Sequence, residues 1–244
     1  EGVAACFGTH DSILSRNDVA WPDEQIIIYG GRFHRPEFSR WVHVDLSLTS
    51  DSTGIVIGCV DRFTKIDRGD VKEILPCIRI DCALEVKPPK GGEINYGHIR
   101  NLLCTLRDQY GLNIRFVSFD SYQSADSIQI LKQKGFMVGQ RSVDKTTVPY
   151  DVLKTALYDG RVAIHDHPKL MQELLSLEFD SKRGKVDHPV HFSKDLSDAL
   201  AGVVFGLSTR RAIWFEHNIS PDQVPHSLYE QAVKANAKIM QEQE

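Results

Sequence analysis

The sequence has no C-x-x-C pair, no strong excess of one charge, no long apolar run, no internal repeat and no low-complexity stretch. Each absence removes a class of function. The five cysteines (Cys6, Cys59, Cys77, Cys82 and Cys104) are odd in number and stand mostly in apolar surroundings. They read as reduced thiols, not as a disulfide or zinc framework. A net charge of −4 excludes a protein that wraps nucleic acid by bulk charge. Any such contact must be local or helped by metal ions. No apolar run approaches a membrane span and no charged-then-apolar leader is present, so the sequence predicts neither a span nor a signal peptide. What remains is ordinary in bulk: 244 residues, 41% hydrophobic and 25% charged, enough for one large domain with appendages.

Patterning divides the chain into three parts. Residues 1–40 carry turn formers around one apolar run at 26–29, and read as an arm or interdomain connection with room for one added strand. Residues 41–210 hold the regular elements, and 211–244 form a helical tail. Strand-like runs at 41–48, 54–61 and 77–86 come first and predict an antiparallel meander. Ile94, Ile99, Leu102, Leu103 and Leu106 then recur at helical spacing, closed by Gly111. A strand at 114–119, a helix ending at Gly135, a strand from 136, a helix from 148, a short strand near 162 and a helix from 168 follow. Residues 182–189 read as a hairpin or loop, and 193–208 as a buried helix. After Pro225 a weak stripe of Leu228, Ala232, Ala235 and Ile239 predicts a tail helix. The order predicts an α/β fold, a mixed five-stranded sheet flanked by helices on both faces.

Three carboxylates fall at telling places. Asp45 lies inside the first strand between Val44 and Leu46, where an unpaired charge is unusual. Asp120 follows the fourth strand at the end where open α/β sheets hold ligands. Asp198 opens the late helix, with Asp195 one turn before it. Each has a plainer role available. Asp45 could face solvent, Asp120 could cap the next helix, and Asp195 and Asp198 could be the N-cap and third residue of theirs. If the first and fourth strands are neighbours, Asp45 and Asp120 stand side by side, and a helix packed across them brings Asp198. Carboxylates so gathered have raised pKa values unless divalent cations neutralise them. Oxygen donors suit Mg2+ or Mn2+ better than zinc. Two such ions about 4 Å apart serve in-line attack on a phosphodiester.

The segments HVDLSLTSDSTGIVIG, SFDSYQSADSIQILKQKGF, KVDHP and SKDLSDALAG occur in that order. Together they resemble the nuclease domain of the large terminase subunit, the DNA-packaging motor protein of tailed bacteriophages. The resemblance covers about 41–207. It implies a ribonuclease H-like, resolvase-like fold over 41–210. It also implies an endodeoxyribonuclease that cuts concatemeric viral DNA during genome packaging, leaving a 3′-hydroxyl and a 5′-phosphate. By position it implies Asp45, Asp120 and Asp198 as catalytic metal ligands, Asp195 as a further ligand, and two ions of Mg2+ or Mn2+ as cofactors. Asp187 and His188 fall in a segment near the site, where the resemblance implies a positioning role, while His188 and His191 could equally be plain loop residues. DNA contacts fall to Arg183, Lys185, Arg141, Lys145 and Lys194, with Lys132, Lys134 and Lys182 as further candidates.

The partners implied are double-stranded DNA, the terminase ATPase domain, the small terminase subunit and the portal protein, with no membrane, in the host-cell cytoplasm. One departure stands out: no G-x-x-x-x-G-K-[ST] loop occurs. The ATPase is therefore expected to be missing, with residues 1–40 as the end of the connection from it and the tail helix as a docking segment. Other readings keep the carboxylates: a Holliday-junction resolvase, a transposase core, or a silent docking module. DLSLTSDSTG faintly resembles the phosphate loop of actin-like ATPases, but a second such loop is absent.

Overall fold

The alternation in Trp41-Val42-His43-Val44-Asp45 sets the middle of the sheet. In the computed structural model, which describes residues 2–47, 52–69, 71–120, 124–189 and 193–241, these residues form strand β2 (Arg40–Asp45). Val42 and Val44 enter one core and Trp41 the other. Asp45 is the last residue of the strand rather than an interior one, and Leu48 lies outside the described residues. Strand β2 pairs antiparallel with β3 (Thr53–Asp67) and parallel with β5 (Ile114–Phe119). Strand β4 (Lys72–Val86) continues antiparallel on β3, and β6 (Met137–Gln140) adds parallel to β5.

These are the five expected strands in a mixed sheet. Two short strands, β1 (Asp18–Val19) and β7 (Val162–Ile164), both pair parallel with β4. Among the described residues the sheet thus has seven strands, ordered β1-β4-β3-β2-β5-β6 with β7 beside β4. The arm's added strand is β1; the apolar run at 26–29 yields only an isolated bridge from Ile28 to Leu14. Two residues are too few for a period to show.

Helices α1 (Tyr96–Asp108) and α2 (Ala125–Gln133) cover the Val42 face, burying Ile99, Leu102, Leu103, Leu106 and Leu131. Asn95 starts α1 by accepting from the Gly97 N–H at 2.8 Å. Residues 121–123 lie outside the described residues, among them Tyr122 and Gln123 at the expected start of the second helix. Helices α3 (Val148–Tyr158), α4 (Pro168–Ser176) and α5 (Asp195–Ser208) cover the Trp41 face. Helix α5 is buried along nearly its whole length, as its apolar run requires. The arm joins the Val42 core through Ile13, Leu14 and Val19. Buried Arg40 fastens it: the guanidinium donates to Asp81 at 3.1 Å and to the carbonyls of His34, Arg35 and Phe38.

Strands β3 and β4 outrun their apolar cores as a two-stranded ribbon that ends with Asp67 opposite Lys72. Charge-rich alternation and Pro76 hide this part from a sequence reading. Phe63, Ile66 and Leu75 on the ribbon pack against Trp214 of α6 (Arg211–Glu216) and Leu228 and Ala232 of α7 (His226–Gln241). Leu228 and Ala232 of the tail stripe are therefore committed to the chain's own ribbon and do not form a free docking face. The side chains of Ala235 and Ile239 lie outside the described residues. No described helix is long and apolar enough to cross a membrane.

Candidate metal centre

Helix α5 lies directly on β2 because glycines face the strand. A Cβ on Gly202 would stand 2.3 Å from the His43 ring, and one on Gly206 2.4 Å from the Trp41 ring. Four helical residues advance about 6 Å and two strand residues about 6.6 Å. The series Gly206, Gly202, Asp198 therefore keeps step with Trp41, His43, Asp45. Gly54 sits opposite Asp45 on β3, and a Cβ there would stand 2.1 Å from the carbonyl oxygen of Asp195. The start of α5 thus rests on sheet backbone beside Asp45 and carries Asp195 and Asp198 to it.

Asp120 arrives through the parallel pair. Val44 is opposite Phe119, and the Asp120 N–H donates to the Val44 carbonyl at 3.3 Å. Asp45 and Asp120 therefore leave the carboxyl ends of neighbouring strands side by side. The chain leaving β6 folds over the same edge. The Arg141 N–H donates to the Phe119 carbonyl at 2.8 Å, and the Ser142 side chain and Val143 N–H donate to the Asp120 carboxylate. This brings in Asp144, which sequence reasoning missed because it sits in a loop without periodicity.

Electrostatics registers the crowding. Burial, then the charges of Asp198, Asp120 and Asp195, push the Asp45 carboxyl up to about 9. Burial also raises Asp120, and Asp144 adds to the effect. Burial lifts Asp198 to about 6 against the pull of Lys194, with Asp144 pushing it further. A buried ammonium stands among these groups: Lys194 Nζ donates to Asp198 Oδ2 at 2.5 Å and to Asp144 Oδ1. Burial opposes its charge, yet Asp198 and Asp144 hold it protonated well above the ordinary lysine range. The other oxygen of Asp198 accepts from the Tyr150 hydroxyl at 2.5 Å. Burial, then the Asp198 charge, raises that phenol as well.

The capping alternative for Asp195 and Asp198 gives way. Helix α5 begins at Asp195, with Lys194 as N-cap and no side-chain cap bond from it. The cap comes from α4, where buried Glu173 accepts from the Ser197 N–H at 2.9 Å and from the Ser193 hydroxyl at 2.9 Å. Neither aspartate is needed for that task. Glu173 and Tyr150 are distant in sequence and carry no local signal.

The basic residues fall into two groups. Lys194, expected on the DNA-facing surface, is only 9% exposed and turned into the carboxylates, because two anions outweigh hydration of one ammonium. The others are exposed or half-buried. Residues 182–189 contain the turn and second strand of a hairpin, β8 (Glu178–Asp180) with β9 (Lys185–Asp187). Arg183 is exposed at its turn, and Lys185 lies 3.4 Å from Asp187 and 3.9 Å from Asp144. Lys145 is exposed beside Asp144, as are Lys132, Lys134 and Lys182 elsewhere on the surface. The Arg141 guanidinium lies over the Trp41 and Phe205 rings, 5.1 and 4.9 Å from their centroids. Asp187 accepts from the His188 N–H at 3.0 Å, and the His188 ring pairs with the Pro189 carbonyl. His191 lies outside the described residues.

The donors fit a hard divalent ion: oxygen only, anionic and mutually repelling. Among the described residues, no three His, Cys, Asp or Glu side chains are yet drawn together closely enough to hold one. The cation that Asp198 and Asp144 hold is Lys194.

No protein-family model and no curated protein matches the chain. Solved structures do. The large terminase nuclease of thermophilic phage G20c with bound magnesium aligns with a TM-score of 0.54 at 15% identity, covering 84% of this chain and 94% of that one. The large terminase nuclease domain of Thermus phage P74-26 aligns at 0.53 and 12% identity, covering 84% and 93%. The longer large terminase of a further thermophilic bacteriophage aligns at 0.50 and 17% identity, over 70% of this chain but 42% of that one. The chain thus has the ribonuclease H-like fold of large-terminase nuclease domains.

Proposed function

We propose that this chain is a metal-dependent DNA endonuclease, the nuclease part of a phage large terminase, cutting concatemeric viral DNA during genome packaging in the host cytoplasm. One observation carries the reading: Asp45, Asp120, Asp195 and Asp198 crowd the carboxyl edge of a terminase-nuclease sheet, with Asp45 pushed up to about 9 by burial and its neighbours. Such a group is stabilised by cations. Structures of the G20c nuclease with magnesium, zinc and cobalt support a divalent site in this fold.

The reaction is hydrolysis of a phosphodiester to a 3′-hydroxyl and a 5′-phosphate. Two divalent ions, Mg2+ or Mn2+, would when bound activate the attacking water and neutralise charge developing on the phosphate. Asp45, Asp120 and Asp198 would hold them, with Asp195 beside. Tyr150 fixes the orientation of Asp198 through its hydroxyl. Arg183, Lys185, Arg141 and Lys145 take backbone phosphates along the bound duplex, which sets affinity without reading sequence. That suits cutting wherever packaging stops. The ATPase domain, small subunit and portal protein would be its partners.

The test is cleavage of supercoiled plasmid with Mg2+, Mn2+ or EDTA by wild type, Asp45→Asn and Asp198→Asn. Metal-dependent nicking and linearisation in the wild type alone is expected. Cleavage untouched by both substitutions refutes the site.

A further inference from the structure

Lys194 has no part in the reaction just described, yet two carboxylates hold it in the site. Three observations set it apart. A lysine is rarely buried unless paired, and this one is 9% exposed with two carboxylate partners, Asp198 at 2.5 Å and Asp144. It occupies the N-cap of α5, where the helix dipole disfavours a cation and Ser, Thr, Asp or Asn is preferred, so the carboxylates and not the helix account for its place. Finally, Tyr150 and Lys194 between them engage both oxygens of Asp198.

We propose that Lys194 is a tethered cation standing in the place of one divalent ion, so that an ion on the Asp198–Asp144 side enters only by displacing it. The inference rests on the metal site proposed above. The flexible four-carbon stem lets the ammonium swing out while the helix start stays on Gly54. On leaving, Lys194 exposes Asp144 as a further ligand.

Calorimetric titration with Mn2+ tests this on wild type, Lys194→Gln and Lys194→Arg. Lys194→Gln should bind Mn2+ about tenfold more tightly, equivalent to about 1.4 kcal/mol, while Lys194→Arg should match the wild type. Equal affinity in wild type and Lys194→Gln overturns the inference and leaves the metal site standing. Absence of Mn2+ binding in both overturns the site and the inference together. A second measurement needs no variant. Wild-type protein is acetylated with an N-hydroxysuccinimide ester in EDTA or in Mn2+, and Lys194 is followed by peptide mass spectrometry. Labelling of Lys194 should rise several-fold with Mn2+ while that of Lys132 does not; equal labelling in the two conditions overturns the displacement.

Discussion

Replacing Asp45 by Asn separates what that carboxyl does for metal from what it does to the fold. Its ordinary value is 3.8, and in the folded chain it stands at about 9. Between those values the folded chain keeps a proton that the unfolded chain has released. Stability therefore falls as pH rises, by about 1.4 kcal/mol for each pH unit. From pH 5 to pH 8 the loss is about 4 kcal/mol. Asn has no proton to keep, so the variant lacks this slope. In EDTA, Asp45→Asn should be the more stable protein at pH 8, and its advantage should shrink by about 4 kcal/mol at pH 5, on the order of 10 °C in melting temperature. Asp198, raised to about 6, adds a slope of the same sign below pH 6 in both proteins. Mn2+ should stabilise the wild type and not the variant. Urea unfolding at several pH values reads all of this. An Asp45→Asn protein no more stable than wild type at pH 8, or a difference that does not vary with pH, refutes the claim that desolvation and the neighbouring carboxylates hold Asp45 protonated.

Gly54→Ala places a methyl 2.1 Å from the Asp195 carbonyl, which should lift the start of α5, lower stability by about 3 kcal/mol and abolish plasmid cleavage. An active variant with an unchanged melting temperature would show that the helix does not rest there. Glu173→Ala removes the acceptor for Ser193 and Ser197 and should cost about 2 kcal/mol in urea unfolding. Tyr150→Phe keeps the ring and loses the hydrogen bond to Asp198; stability should fall by about 1.5 kcal/mol, the value of one hydrogen bond to a charged group, and kcat for cleavage by about tenfold.

How much of this was legible depends on range along the chain. The five long strands and the helices show because their apolar residues repeat over several periods. Asp45 shows as a charge amid apolar strand residues, and Asp120 and Asp198 show because a strand end and a helix start are marked locally. Lys194 reads as an ordinary surface lysine, since nothing beside it in sequence reveals two carboxylates held in one pocket. Asp144, Tyr150 and Glu173 bond to residues 20 to 50 positions away, where no pattern reaches. Strand β1 is too short to repeat, whereas β7 is the short strand expected near 162. The outer ribbon of β3 and β4 was hidden because its inner face is covered by helices much later in the chain, which no window includes.

That covering has a consequence for solubility. Beyond Val60 and before Cys77 the ribbon pairs only with itself among the described strands, so both its margins offer unpaired backbone groups. Trp214, Leu228 and Ala232 act as a sheath over its oily side. Proteolytic removal of the chain after Thr209 would leave a bare, two-stranded template open to addition of strands from other molecules. The site rests at the opposite end of β2 and α5, so such a protein would clump while its carboxylates still stood in register.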